Sequence, residues 1–306
     1  MTLADENTNE LLQTILAEVP GWDAPPDEVG PLEGGITNLN YLVRRGENRF
    51  VLRVGGMNTD LLGIERNREY AISRIAADLG IGAEVYAFLP DHGAMVTHFV
   101  EGDAISAERA AQPDVMSRIM STVRRYHGGR AFPGSFSVFG VLRAYESLAL
   151  ERGVVFPPST ATALEHARSI ELALGSATEL VPCHNDLLAA NFIDDGDTIR
   201  LLDWEYAGMG DRFFDLGNFA ANQALDSAGC QALVEAYFGR ADTRHLAHLH
   251  LMRTMSNLRE AFWGFLQSGI SSLDFDFLQY ARTHLERVMD EITSARMAEW
   301  QAEVQA

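Results

Sequence analysis

Pro182-Cys183-His184-Asn185-Asp186-Leu187-Leu188-Ala189-Ala190-Asn191-Phe192-Ile193 decides how this chain is read. It runs His-x-Asp, four residues, then Asn. An apolar strand-like run, Ile199-Arg200-Leu201-Leu202, follows and ends in Asp203. Phosphoryl transfer from ATP requires a carboxylate that orients or deprotonates the attacking hydroxyl, and oxygen ligands that hold Mg²⁺ against the phosphates. Asp186 has the chemistry for the first task. Asn191 and Asp203 have it for the second, because Mg²⁺ is a hard ion that takes carboxylate and amide oxygens. A polar turn between two strands would also contain Asn and Asp, so the flanking residues decide.

Those residues are Asp203-Trp204-Glu205-Tyr206-Ala207-Gly208 and Asp215-Leu216-Gly217-Asn218. His-x-Asp-x4-Asn has the spacing of the kinase catalytic loop, and Asp203 stands where the metal-binding Asp of Asp-Phe-Gly would be. The whole run resembles the choline/ethanolamine kinase family, within the wider aminoglycoside-phosphotransferase-like kinases. That family carries His-Asn-Asp-Leu-x3-Asn, then Asp-x-Glu-Tyr, then Asp-x-Gly-Asn, and all three pieces occur here in order. The resemblance implies an α+β, bilobal, protein-kinase-like fold. It also implies that Asp215 is the family's buried carboxylate, which accepts hydrogen bonds from the catalytic loop. The segment from Asp203 to Asp215 is short, whereas protein kinases need a long one to bind a polypeptide; a small-molecule acceptor fits better.

Composition narrows the function classes. The chain has 306 residues, 47% hydrophobic and 22% charged, with a net charge of -19, an ordinary globular composition. Such an acidic protein lacks the cationic surface that nucleic-acid phosphates require, but its field suits a small cationic substrate. All 24 basic residues are Arg and none is Lys. A cation on a phosphate must therefore be Arg, a metal or backbone N–H. Cys183 and Cys230 have no metal or redox spacing. The acidic start lacks the pattern of a signal peptide, and no run approaches a membrane span; a cytoplasmic protein is expected.

Taken in order, residues Asn7 to Val19 have helical apolar spacing. Pro31 to Arg44 reads as strand, tight turn, strand. Gly34 and Gly35 permit backbone approach to a phosphate, with Thr37 and Asn38 adding polar contacts; the run resembles the family's Gly-Gly-x-Thr-Asn loop. Arg49 to Val54 is a third strand. Arg53 falls where protein kinases carry their phosphate-binding Lys and where choline kinases have Arg, and its planar fork suits two phosphate oxygens. Ile64 to Leu79 reads as an amphipathic helix. Its Glu69 resembles the helix carboxylate that pairs with the strand cation, with Glu65 as a rival. Two further strands surround Pro90-Asp91-His92, and Glu101-Gly102 reads as a hinge. Adenine is placed against backbone near His98 to Val100, so Phe99 and Val100 count as nucleotide-binding. The expected division is a small β-rich nucleotide-binding lobe with one main helix, 1–101, and a mostly helical catalytic and substrate-binding lobe, 102–306.

Helical patterns fill the second part, including His245 to Gln267 and Leu273 to Ile292. Within them Arg259 to Gln267 and Asp274 to Ala281 resemble the choline-binding helices of choline kinases. The resemblance implies that Glu205, Tyr206, Trp263 and Tyr280 line a site for the acceptor cation. Animal-type choline kinases carry Trp-x-x-Trp before the Gln; here the first Trp is replaced by Glu260. Residues three apart share a helical face, so Glu260 reaches the acceptor or else pairs with Arg259 or Arg253. The expected function is ATP- and Mg²⁺-dependent phosphorylation of the hydroxyl of choline, ethanolamine or a related small amino alcohol. The alternatives are a kinase for an aminoglycoside, a sugar or homoserine, and a nucleotide-binding scaffold without turnover.

Overall fold

The structure is a computed structural model that describes residues 3–32, 38–56, 58–175 and 179–306, with side chains from residue 10 onward. The smaller part begins with helix α1 (Leu3–Ala17). Strands β1 (Glu28–Leu32), β2 (Asn38–Arg45) and β3 (Asn48–Gly55) follow, then helix α2 (Arg66–Asp78) and strands β4 (Val85–Leu89) and β5 (Ala94–His98). The five strands form one antiparallel sheet in the order β1-β2-β3-β5-β4. Gly34, Gly35 and Thr37, expected in the phosphate loop, lie outside the described residues.

Strand periodicity decides where Arg53 points. Successive side chains alternate between faces, and Phe50, Leu52 and Val54 of β3 are buried in a core with Leu12, Ile15 and Leu16 of α1. Arg53 therefore faces away from that core, and α2 supplies its partner. The apolar stripe of α2, Ile72, Ile75 and Ala76, packs instead into the large core of the second part. Although α2 lies within the first 101 residues, it is seated on the larger core. Its start is two residues later than the periodicity suggests, with Glu65 at the N-cap position.

The second part contains β6 (Asp103–Ala104), α3 (Ala107–Ala110), α4 (Pro113–His127), α5 (Val138–Glu151), α6 (Ser159–Leu174) and β7 (Leu180–Cys183). Then come β8 (Phe192–Asp194), β9 (Ile199–Leu201), β10 (Gly208–Asp211) and the helices α7 (Arg212–Asn222), α8 (Ser227–Phe238), α9 (Thr243–Ile270), α10 (Phe277–Ile292) and α11 (Arg296–Gln305). Two small sheets, β10-β7 and β6-β8-β9, carry the signature residues at their ends. Helix α9 is the spine: its residues from Thr254 to Gln267 are all buried. Helix α7 crosses it so closely that a Cβ on Gly217 would stand 2.5 Å from the Arg253 amide nitrogen. Helix α10 starts at Phe277 rather than Leu273 because the Asp276 side chain accepts the Gln279 N–H at 2.9 Å, a capping bond.

Candidate active site

The loop after β7 is shaped by one buried carboxylate. Asp215, in the first turn of α7, accepts the backbone N–H of His184 at 2.9 Å and of Asn185 at 2.6 Å. It also accepts the Tyr126 hydroxyl at 2.6 Å and contacts His127 Nε2 at 3.0 Å. Burial opposes its charge, but the hydrogen bond and charge of His127, with the Tyr126 hydroxyl, hold its pKa below the usual value. Asn218, one turn on, accepts the Leu187 N–H at 2.5 Å. His127, Cys183 and Asp215 converge, but the His127 nitrogens are engaged by Tyr237 and Asp215, which makes this a structural cluster.

His184 is held in one tautomer. Its Nδ1 accepts the Asp186 N–H at 3.2 Å, so Nε2 carries the proton and donates to Leu202 O at 2.9 Å. Burial lowers its pKa, which keeps the ring neutral. The two chain segments of the signature are thereby stitched together. Asn185 Nδ2 adds a bond to Tyr206 O at 3.0 Å, and Leu202 N–H donates to Asn191 O at 2.9 Å. Asn191 thus lies beside Leu202, next to Asp203. Its amide nitrogen donates to Asp186 O at 3.0 Å, which fixes that end of the amide.

Arg53 lies where the expectation put it, with more partners than expected. It pairs with Glu69 at 2.9 Å and Glu205 at 2.9 Å, and its Nη2 donates to Asp203 Oδ1. Burial works against its charge, but Asp203, Glu69 and Glu205 outweigh this and raise its pKa further. The side chain of Glu65 makes no capping bond at the start of α2; Glu69 is the residue that meets Arg53. A second guanidinium, Arg66, bonds Glu69 at 2.7 Å, Glu205 at 3.2 Å and Asn38 Oδ1 at 2.8 Å. Asn38 Nδ2 completes the ring by donating to Glu205 Oε2 at 2.8 Å. Glu205, expected among the acceptor residues, is thus bonded to the group around Arg53; burial, then Asp203, raise its pKa. Arg66 is absent from the sequence expectation, although its position three residues before Glu69 puts both on one helical face.

On the other side of the loop, Asp186 is 15% exposed and bonds Arg259 Nη2 at 3.0 Å. Burial raises its pKa; Arg259 counteracts this, while Glu260, Asp203 and Glu205 reinforce it. Arg259 also reaches Glu260 at 2.5 Å and lies over the Tyr206 ring, 5.2 Å from its centroid. Glu260 accepts the Tyr280 hydroxyl at 2.7 Å, and Trp263 meets Tyr280 edge-on at 5.6 Å. The structure thus brings Tyr206, Glu260, Trp263 and Tyr280 to one place, with Arg259 as the member the sequence expectation used only as a partner for Glu260. Phe99 and Val100 are half-buried and line a cleft of about 580 Å³ with Asp195 and Arg200. The N–H groups of His98 and Phe99 are bonded to Glu84 O and Arg49 O.

Comparison with known proteins fits this geometry. The family model described as choline/ethanolamine kinase matches residues 29–233. A probable ethanolamine kinase A of Dictyostelium discoideum is 26% identical over 318 residues, covering 88% of this chain and 87% of that protein. A choline/ethanolamine kinase family protein from Mesorhizobium loti has the same fold at a TM-score of 0.82 with 29% identity, covering 97% and 99%. Choline kinase LicA from Streptococcus pneumoniae superposes at 0.78 with 21% identity, covering 92% and 99%. The match over residues 29–233 takes in the Arg53, Asp186 and Asp203 positions, and the chain belongs to the choline/ethanolamine kinase family, phosphotransferases that act on an alcohol group.

Proposed function

We propose that this enzyme transfers the γ-phosphoryl group of ATP to the hydroxyl of a small amino alcohol, choline, ethanolamine or a close relative. The observation that carries the reading is the position of Asp186. Its carboxylate bonds Arg259, which joins it to Glu260 and the Tyr206 ring, and its backbone carbonyl accepts the Asn191 amide N–H. Asp186 takes the acceptor O–H as hydrogen-bond donor and receives its proton as the oxygen–phosphorus bond forms and the bond to ADP breaks. Arg53 supplies the guanidinium charge for the phosphates, held in place by Glu69, Asp203 and Glu205. Adenine packs near Phe99 and Val100. A LicA structure solved in complex with AMP supports a nucleotide site in this fold.

The donor set fits a magnesium ion. Asn191 has its amide nitrogen tied to Asp186 O, and Asp203 is 31% exposed; carboxylate and amide oxygens are the ligands that Mg²⁺ prefers. Bound there, the ion would neutralise charge on the phosphates. Positioning and charge neutralisation supply the rate, since little covalent chemistry is asked of the protein.

The test is ATP consumption by the purified protein with Mg²⁺ against choline, ethanolamine, homoserine and aminoglycosides, repeated with Asp186→Asn. The variant should bind ATP normally and lose about 10²-fold to 10⁴-fold in kcat. Turnover confined to homoserine or aminoglycosides would replace the acceptor; a fully active variant would remove Asp186 from the chemistry.

A further inference from the structure

Arg259 is a buried cation among the residues that the proposed function assigns to the acceptor. Its side chain is 2% exposed and sits between Asp186 and Glu260, on the face of the Tyr206 ring. Burial opposes the charge, but Glu260 and Asp186 keep it firmly protonated. A quaternary ammonium has no N–H to donate. It is held by aromatic faces, and the resident guanidinium covers one such face; its charge opposes either kind of ammonium alike. Of the other two rings, Trp263 and Tyr280 spend part of their surface on each other and on Phe277.

A primary ammonium meets a different surface. The Glu260 oxygens each take one donor, from Arg259 and from the Tyr280 hydroxyl. A carboxylate has about four lone-pair sites, so further N–H donors find acceptors there. We propose, building on the amino-alcohol kinase reading above, that Arg259 is a specificity-determining residue. It is a built-in cation that withholds the Tyr206 face from quaternary ammonium groups and biases the site toward primary amino alcohols.

The experiment measures kcat/KM for ethanolamine and for choline in the parent, Arg259→Leu and Arg259→Gln. Loss of Asp186 positioning lowers both acceptors alike, so the ratio isolates specificity. The parent should prefer ethanolamine. Arg259→Leu should move the ratio toward choline by about tenfold, the scale of one aromatic face for a cation, and mainly through a lower KM for choline. Arg259→Gln removes the charge and keeps an N–H donor for Asp186 and Glu260. It carries the same comparison if the leucine variant does not fold. A ratio within twofold of the parent in the folded variants overturns the assignment, as does a parent that prefers choline. A parent that turns over neither amine, but another alcohol, is a separate outcome: the amino-alcohol reading itself fails, and the assignment built on it fails with it.

Discussion

Two residues of the site hold left-handed backbone, Asn185 at φ 67° and Asp203 at φ 69°. For non-glycine residues this conformation carries strain and persists only where the surroundings enforce it. Here the enforcement is visible: Asp215 takes the Asn185 N–H, the Asn185 side chain holds Tyr206 O, and Arg53 holds Asp203. Arg53 shows why side-chain shape matters as well as charge. One guanidinium reaches Glu69, Glu205 and Asp203 together, which a single ammonium point cannot match. Arg53→Lys should therefore raise the KM for ATP several-fold and lower kcat by about tenfold, and Arg53→Ala should do more. Steady-state kinetics against ATP decide; unchanged values in Arg53→Ala would leave the phosphates to another group.

At the scale of elements, helix α7 acts as a clamp for the catalytic loop. Asp211 caps it by accepting the Phe213 N–H, and Asp215 then gathers two backbone N–H groups, a tyrosine and a histidine from α4. Removing a fully buried acceptor leaves its donors without partners, so Asp215→Ala should cost roughly 3–5 kcal/mol and abolish turnover. Urea unfolding with activity in parallel tests this; a stable, active variant would mean that the loop holds its own shape. The α9–α10 contact has a pH signature. His284 donates Nδ1–H to Asn257 Oδ1 at 3.1 Å, and burial pushes its pKa down to about 4. Below about pH 6.5 the unfolded chain takes up a proton there, which the folded chain accepts only near pH 4. Stability from this residue is thus lost as pH falls through that window, by about 2 kcal/mol between pH 7 and 5. His284→Gln keeps a donor for Asn257 and cannot titrate. Comparing its pH 7 and pH 5 stabilities with the parent's should show a dependence smaller by that amount; identical dependences would refute the shift.

For the whole molecule, the net charge of -19 sets a negative field that, on the proposed function, favours a cationic acceptor and opposes an anionic nucleotide. The two guanidinium groups of the proposed nucleotide site, Arg53 and Arg66, are set among the three carboxylates of Glu69, Asp203 and Glu205, so an anionic nucleotide would also need a metal ion there. Salt screens the long-range field over about 8–10 Å at physiological strength. The KM for ethanolamine should therefore rise about twofold to threefold between 20 mM and 500 mM NaCl, and the KM for ATP should not rise in parallel. No helix among the described residues is long and apolar enough to cross a membrane.

The sequence by itself determined the family and singled out Asp186 as a candidate, because His184, Asp186, Asn191 and Asp203 fall in a short run whose spacing is readable without coordinates. It also determined the alternation that points Arg53 away from the small core, since strand periodicity is local. Tertiary structure alone decided which charges share a partner. Glu205 follows Asp203 by two residues, yet its partners Asn38, Arg53 and Arg66 are more than 130 residues away. No local pattern distinguishes such a partner from a solvated neighbour. The fate of Glu260 was undecidable for the same reason: on an isolated helix it could face substrate or Arg253 as readily as Arg259. Burial of α9 against the catalytic loop decided which arginine it pairs with, because a buried carboxylate must have a counter-charge and Arg259 was the cation that packing delivered.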